Sequence, residues 1–340
     1  MKNKLFIFSN ESINLQDGKF FCDNIDLKTM PEGLHKKFEV NLFGRKSIKN
    51  RSHEIKIKKI KIFTNIFSYI SSVIDSSKEE DAKYLIISIT PYTFLVSIFL
   101  KLLRKKPIVY LRSDGYAEYK AIFGRAGSAI YHLMFSIAGS FSHLISCRNY
   151  ILRTKKGKIV KPSQLDSTWL RAPKNTDIKS FKLLYVGRFK IEKGIHSLLN
   201  LIKNKKNISL SIVGVEKEIS NNFSQSNVNF YQNQSNKLKL IKYYDEHNIF
   251  VLPSYTEGHP MVLLEALARR RPVILFEDIK HVIGDKKGIF VSKRNFINFF
   301  GTLNSIKKNY KKIQKEMKKN KLPTYKEFIE DLSQSISKFN

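Results

Sequence analysis

The stretch "LLYVGRFKIEKGIHSLLNLI", Leu183–Ile202, runs from an apolar segment through a basic turn bounded by glycines into a second apolar segment. Lys182 to Val186 reads as a strand, Gly187 permits a turn at its carboxyl end, and Gly194 opens a helix from Ile195 to Lys203. Arg188 and Lys193 flank that turn. The same alternation continues downstream. Strands are expected at Ile208–Val213, Val228–Tyr231, Ile249–Pro253 and Val273–Phe276, with helices at Lys237–Glu246 and Met261–Arg269. Strands alternating with helices describe a doubly wound α/β domain with a parallel sheet, which binds ligands at the carboxyl ends of its strands.

A second stretch, "SYTEGHPMVLLEALARRRPVI", Ser254–Ile274, places Glu257 just before a helix and Glu265, eight residues on, inside its second turn. Pro260 suits the first turn of that helix because it has no N–H to leave unpaired, and Gly258 adds a flexible approach. The amides of Gly258, His259 and Met261 then gather at a positive helix N-terminus, which is an anion site. A carboxylate beside a phosphate is repelled, so both glutamates suit the hydroxyls of a ribose or hexose. The alternative is that Glu257 caps the helix while Glu265 is the buried partner of an arginine. His259 is expected to contribute its amide rather than its imidazole. Arg188 and Lys193, facing such a helix end, neutralise a diphosphate and replace a metal ion in the leaving-group role. No metal is expected, since the histidines show no ligand spacing.

Together "VGRFKIEKG" and "LPSYTEGHPMVLLEALA", about 65 residues apart, closely resemble the retaining nucleotide-sugar glycosyltransferases of family 4, within the glycosyl transferases group 1. Glu257-x7-Glu265 matches that family's Glu-x7-Glu signature. The resemblance covers residues 180–275 through motifs and the first half through the order of elements alone. It implies the GT-B architecture, two Rossmann-like doubly wound parallel-sheet domains facing a cleft. It also implies transfer of a hexose-type sugar from a nucleotide-diphosphate sugar to a cell-envelope polysaccharide, lipopolysaccharide or lipid-linked glycan. Arg188 and Lys193 match the pair that binds the donor diphosphate, Glu265 the ribose-binding glutamate, and Glu257 the one near the donor sugar. Gly258, His259, Pro260 and Met261 match the segment touching sugar and phosphate. The chain departs from the family pattern in its first half, where the turn after the first strand offers only Gly18. Where many members carry a histidine it reads "VYLRSDGYAEY", which makes Asp114 a candidate sugar or acceptor contact, an Asp-Gly turn being the alternative. "VILFEDIKHVIGDKKG" lacks the glycine pair common after that strand.

The first half repeats the α/β text less regularly. Leu5 to Phe8 reads as a strand, and lysines alternate with isoleucines from Ile55 to Ile62 as in a basic edge strand entering a helix. "YLIISITPYTFLVSIFLKLLRKKPIVYL" has the length of a membrane span of about 20 residues. Pro91, Thr90, Thr93 and Lys101 interrupt it, so a strand, a helix and a strand are expected instead. Ala126 to Gly139 reads as a helix and His143 to Cys147 as a strand. The apolar-poor text around Pro162 and Pro173 marks a boundary. The expected domains are 1–172, binding acceptor, 173–322, binding nucleotide sugar, and a terminal helix at 323–340 that packs back on the first.

A chain of 340 residues with 42% apolar content supports two such cores. Two cysteines far apart, Cys22 and Cys147, fit a reducing cytoplasm and no disulfide framework. Sixty-one Lys and Arg against 29 Asp and Glu leave +32, which fits an anionic partner or a lysine-rich bias of composition. An anionic membrane surface met by the basic, aromatic N-terminal half (Lys56–Tyr69, Phe99–Lys106) is the expected partner. No nucleic acid is expected, because no helix-turn-helix, zinc-finger or aromatic RNA-binding pattern is present. The rival function is a catalytically silent GT-B subunit or scaffold of a glycan-assembly complex.

Overall fold

In the computed structural model, which describes residues 2–174, 176–215 and 225–339, the chain divides into two compact units. The first comprises Met1–Pro162 with Tyr325–Asn340, the second Ser163–Thr324.

The first unit is built on a mixed sheet. Strand β1 (Lys4–Gln16) is flanked by β2 (Lys19–Cys22), helix α1 (Ile25–Leu34) and β3 (Glu39–Lys46). Then come β4 (His53–Ile55), β5 (Lys59–Phe63), α2 (Ile66–Ser77), β6 (Lys83–Ile87), α3 (Pro91–Leu102) and β7 (Pro107–Leu111). Helix α4 (Gly115–Phe141), β8 (His143–Ser146) and β9 (Lys158–Ile159) follow. The first half of β1 lies between β3 and β6, both parallel to it, while its second half pairs antiparallel with β2. The expected parallel sheet forms the body of this unit, and β2 and β4 add an antiparallel extension along the overhang of β1. The expected strand from Ile55 to Ile62 is also split. Its ends join different partners, Ile55 opposite Phe20 and Lys59–Ile62 beside β3.

The apolar stretch around Pro91 folds as strand, helix and strand for a visible reason. Thr90 and Thr93 form a reciprocal capping box, with Pro91 opening the helix where no N–H is needed. Helices α2, α3 and α4 cover one face of the sheet, burying Tyr69, Val96 and Phe135 against Phe8 and Val109. Helix α1 covers the other with the final helix of the chain, α10 (Tyr325–Lys338), whose Phe328, Leu332 and Ile336 are buried there.

The second unit opens with α5 (Ser167–Leu170) and contains β10 (Phe181–Val186), α6 (Ile195–Ile202), β11 (Ile208–Val213) and β12 (Val228–Tyr231). It continues through α7 (Lys237–Glu246), β13 (Ile249–Leu252), α8 (Met261–Ala268), β14 (Val273–Phe276), β15 (Ile289–Ser292) and α9 (Phe296–Met317). Among the described residues its sheet is six-stranded and parallel, in the order β12-β11-β10-β13-β14-β15. The strand order reverses between β10 and β13. In open α/β sheets that switch point leaves a crevice at the strand ends.

The boundary expected after residue 172 lies instead after Pro162, because the intervening segment packs into the second core. Leu165 and Trp169 are buried there, Trp169 against Tyr244. A charged network pins the rest. Arg269 pairs with Asp245 at 2.7 Å and donates to the carbonyls of Trp169 and Arg171 at 2.9 Å. Arg271 reaches the same carboxylate at 3.4 Å and donates to the carbonyl of Lys174 at 2.7 Å. All three charged side chains are buried, so removing the shared acid strands two cations away from water. Asp245→Ala is expected to cost about 3–5 kcal/mol of second-unit stability, read as a lowered urea midpoint of the full chain.

Candidate functional site

The loops after β10 and β13, on either side of the switch point, hold the residues that the motifs single out. Their approach is close. Gly194 has φ 65°, and a Cβ there would lie 1.9 Å from the Pro253 carbonyl oxygen, so a side chain is excluded on both counts. The Tyr255 N–H donates to the Glu192 carbonyl at 2.9 Å, closing the seam between the loops. Across it Lys193 Nζ donates to Glu257 Oε1 at 2.7 Å. The Ser254 hydroxyl donates to the same oxygen at 2.7 Å. His281 Nε2 donates to the Glu257 carbonyl, also at 2.7 Å. The ammonium and carboxylate are 20% and 12% exposed, which leaves each a side open to a ligand.

Arg188 stands at the end of β10 with an exposed side chain, and its guanidinium forms no ion pair among the described residues. Its carbonyl accepts from the buried Tyr185 hydroxyl at 3.1 Å. That phenol is pushed far up by burial and then by the Glu257 carboxylate, while Arg188 pulls the other way, so all three share one neighbourhood.

Glu265 lies in α8 and is buried. The Tyr244 hydroxyl donates to its Oε2 at 2.8 Å, and its Oε1 accepts no hydrogen bond among the described residues. Burial pushes the carboxyl up to about 7, with the Tyr244 hydrogen bond opposing. The reading of Glu265 as the buried partner of an arginine does not hold, since the neighbouring arginines are committed to Asp245. Nor does Glu257 cap the helix. Pro260 is itself the N-cap residue, one position earlier than a first-turn placement, and no side chain caps that end. The first turn closes through Leu263 N–H to the Pro260 carbonyl at 3.2 Å, with Gly258, His259 and Met261 at the same end. An uncapped helix N-terminus beside Lys193 favours an anion.

Asp114 belongs to the first unit, where it serves as the N-cap of α4. It accepts from the Tyr116 N–H at 3.1 Å and pairs with Arg153 at 3.0 Å. These bonds favour the turn reading over a contact to sugar. Arg294 is a positioning residue that no motif exposed. It donates to the Ser254 carbonyl, the Ser197 hydroxyl and Asp278, each at 2.9 Å. Its guanidinium lies over the rings of Tyr255 and Phe276 at 4.0 and 4.5 Å, which fixes the loop carrying Glu257. Among the described residues no group of three or more His, Cys, Asp or Glu converges as a metal site.

Residues 167–322 match the family model described as glycosyl transferases group 1. Similar solved structures extend along nearly the whole chain. HepE of Anabaena, in complex with UDP and glucose, is 12% identical over 98% of this chain and 99% of its own, with a TM-score of 0.70. Sucrose-phosphate synthase from Thermosynechococcus elongatus is 14% identical over 98% of each chain, with a TM-score of 0.69. The lipopolysaccharide outer core galactosyltransferase WaaB is 15% identical over 98% of this chain and 99% of its own, with a TM-score of 0.65. At those identities the likeness establishes a shared fold, that of the GT-B glycosyltransferases. No curated protein matches the sequence.

The Glu265 carboxyl gives a pH signature. Below about 4.5 it is neutral whether the chain is folded or unfolded; above that the unfolded chain releases its proton first, and folding loses stability until the folded group ionises at about 7. The loss is about 3 kcal/mol. Glu265→Gln is expected to flatten this decline in denaturant titrations run across that pH window.

Proposed function

We propose that the chain, whose residues 167–322 match the model of glycosyl transferases group 1, is a retaining transferase that moves a hexose from a nucleotide-diphosphate sugar to a hydroxyl of an envelope glycan, lipopolysaccharide or lipid-linked glycan. One observation carries this reading: Lys193 and Glu257, separated by 64 residues in sequence, meet at 2.7 Å beside an uncapped helix N-terminus.

An ammonium has three N–H donors, so Lys193 can hold Glu257 and still donate to a phosphate. The exposed Arg188 guanidinium supplies a second cation with fork geometry. The α8 N-terminus, with the amides of Gly258 and His259, adds a fixed dipole to the same charge. Glu257, ion-paired and fixed by Ser254 and His281, is assigned to the donor sugar's hydroxyls. Glu265 is assigned to the ribose through its Oε1. Hydroxyls donating there stabilise the ionised carboxylate, so nucleotide binding releases a proton below about pH 7.

In the transfer, the bond between the anomeric carbon and the diphosphate oxygen breaks, and its electron pair leaves with the diphosphate. The acceptor oxygen bonds to the same face of that carbon, and its proton passes to a departing phosphate oxygen. No protein nucleophile takes part. The work of the chain is to position the donor and to balance the charge growing on the leaving group. UDP and a glucose-type sugar, which HepE holds, are the first donors to try.

With a panel of nucleotide-diphosphate sugars and isolated envelope glycans, product is expected from one donor class, with the anomeric configuration kept. Lys193→Ala is expected to lower kcat by about 100- to 1000-fold, as loss of one charge-stabilising group does elsewhere. Nucleotide binding with no hydrolysis or transfer on any acceptor would mark a silent subunit instead.

A further inference from the structure

The second unit carries a groove that the proposed donor site does not use. It holds about 500 Å³ and lies between α6, the turn that follows it and the start of α9. Grooves of this size take small molecules. Its polar lining is Ser197, Asn200, Lys203, Lys205 and Arg294, to which Phe296 adds an aromatic ring. Three of these residues are cations. Among the described residues no acid lines the groove, and neither Lys193, Glu257 nor Glu265 belongs to it.

The cations are held in place by the fold. Lys205 Nζ stands 4.2 Å from the centre of the Phe296 ring. The turn that carries both lysines is clasped by Asn227, whose Nδ2 donates to the carbonyls of Ile202 and Lys205 at 3.0 and 3.2 Å. Asn204, between the lysines, takes φ 61°, a left-handed conformation that asparagine tolerates. Neither lysine forms an ion pair among the described residues. Arg294 spends one N–H each on Asp278, the Ser197 hydroxyl and the Ser254 carbonyl. A guanidinium has five such donors. The other two, one on each terminal nitrogen, meet no acceptor among the described residues, and the side chain keeps 18% of its surface open. Asp278 balances the arginine, so the groove retains the charge of its two lysines.

We propose that this groove binds a phosphate dianion, free or carried by a small organic molecule, between Lys203, Lys205 and the open edge of Arg294. Two uncompensated ammonium groups match the charge of a dianion, and a tetrahedral phosphate accepts from several donors at once. Asn200 and Phe296 line the remaining space, where an organic part would lie. A lysine-rich composition accounts for cations along a solvated helix face such as that of α9. It does not supply the Asn227 clasp, the ring beside Lys205 or an arginine with two donors to spare. The site is separate from Lys193, and the inference does not rest on sugar transfer.

Inorganic phosphate and glucose 6-phosphate are to be titrated into the full chain at low salt, followed by phosphorus NMR line broadening. The titrations use Lys193→Ala, so that the proposed diphosphate site contributes little, and further variants made in that chain. Phosphate is expected to bind Lys193→Ala, and Lys203→Glu with Lys205→Glu to weaken it at least about tenfold. Asn200→Asp, which adds an acid to the lining, is expected to weaken it as well. Lys308→Glu with Lys312→Glu makes the same change of net charge on the solvated face of α9 and is expected to leave binding as it is. Unchanged urea midpoints verify that the variants fold. Equal affinity for the two probes marks free phosphate as the ligand, and tighter binding of the ester marks an organic phosphate. The proposal is overturned if phosphate does not bind Lys193→Ala, or if the groove variants bind it as well as that chain does. Equal weakening by the α9 pair also overturns it and marks an adventitious ion only.

Discussion

The approach of two loops at the reversal point of the second sheet controls the rest of the site. Lys193 and Glu257 are useful to a ligand only if the turn after β10 sits directly against the loop after β13. Gly194 makes that possible by tolerating a left-handed backbone under the Pro253 carbonyl. Once the loops are seated, one ammonium and one carboxylate are held together at the edge of a crevice. Arg294, threaded between Tyr255 and Phe276, keeps the second loop from drifting. The N-terminus of α8 follows the same loop, and the exposed Arg188 shares the neighbourhood of Tyr185 and Glu257. A loosely held pair would spend its Coulomb energy on side-chain ordering; here the backbone bears that ordering.

Much of this unit was legible because parallel strands are short apolar runs with punctuation at fixed places. Gly187, Gly194 and Pro260 mark turns, and the residues between them differ in type from their surroundings. The placing of Glu257 just before a helix and of Glu265 in its second turn also reads directly. What stayed hidden depends on distant partners. Nothing in the text around Arg294 indicates that it reaches Ser197, Ser254 and Asp278. His281 likewise bonds a carbonyl that only folding brings near. Pro162 and Pro173 bracket a linker in sequence, yet Trp169 and the arginine network draw it into the second core. The antiparallel strands β2 and β4 escaped because the alternation of strand and helix that marks the parallel strands does not run through them: β1 turns directly into β2, and β4 leads into β5. The cap that Asp114 supplies to α4 follows from the Asp-Gly turn, whereas its ion pair with Arg153 depends on a residue 39 positions on.

The charge of +32 divides by location. Cations near Lys193 meet a carboxylate and a helix end, and those on α9 point into solvent along a lysine-rich face.

The most direct test of the central claim is a calorimetric titration of nucleoside diphosphates against the matching monophosphates, in the parent chain and in Lys193→Ala. The diphosphate is expected to bind the parent more tightly than the monophosphate, and the variant to lose that preference, weakening diphosphate binding about tenfold or more, or at least about 1.4 kcal/mol. Equal affinity for both nucleotides in the parent, or a preference that survives in Lys193→Ala, would contradict it.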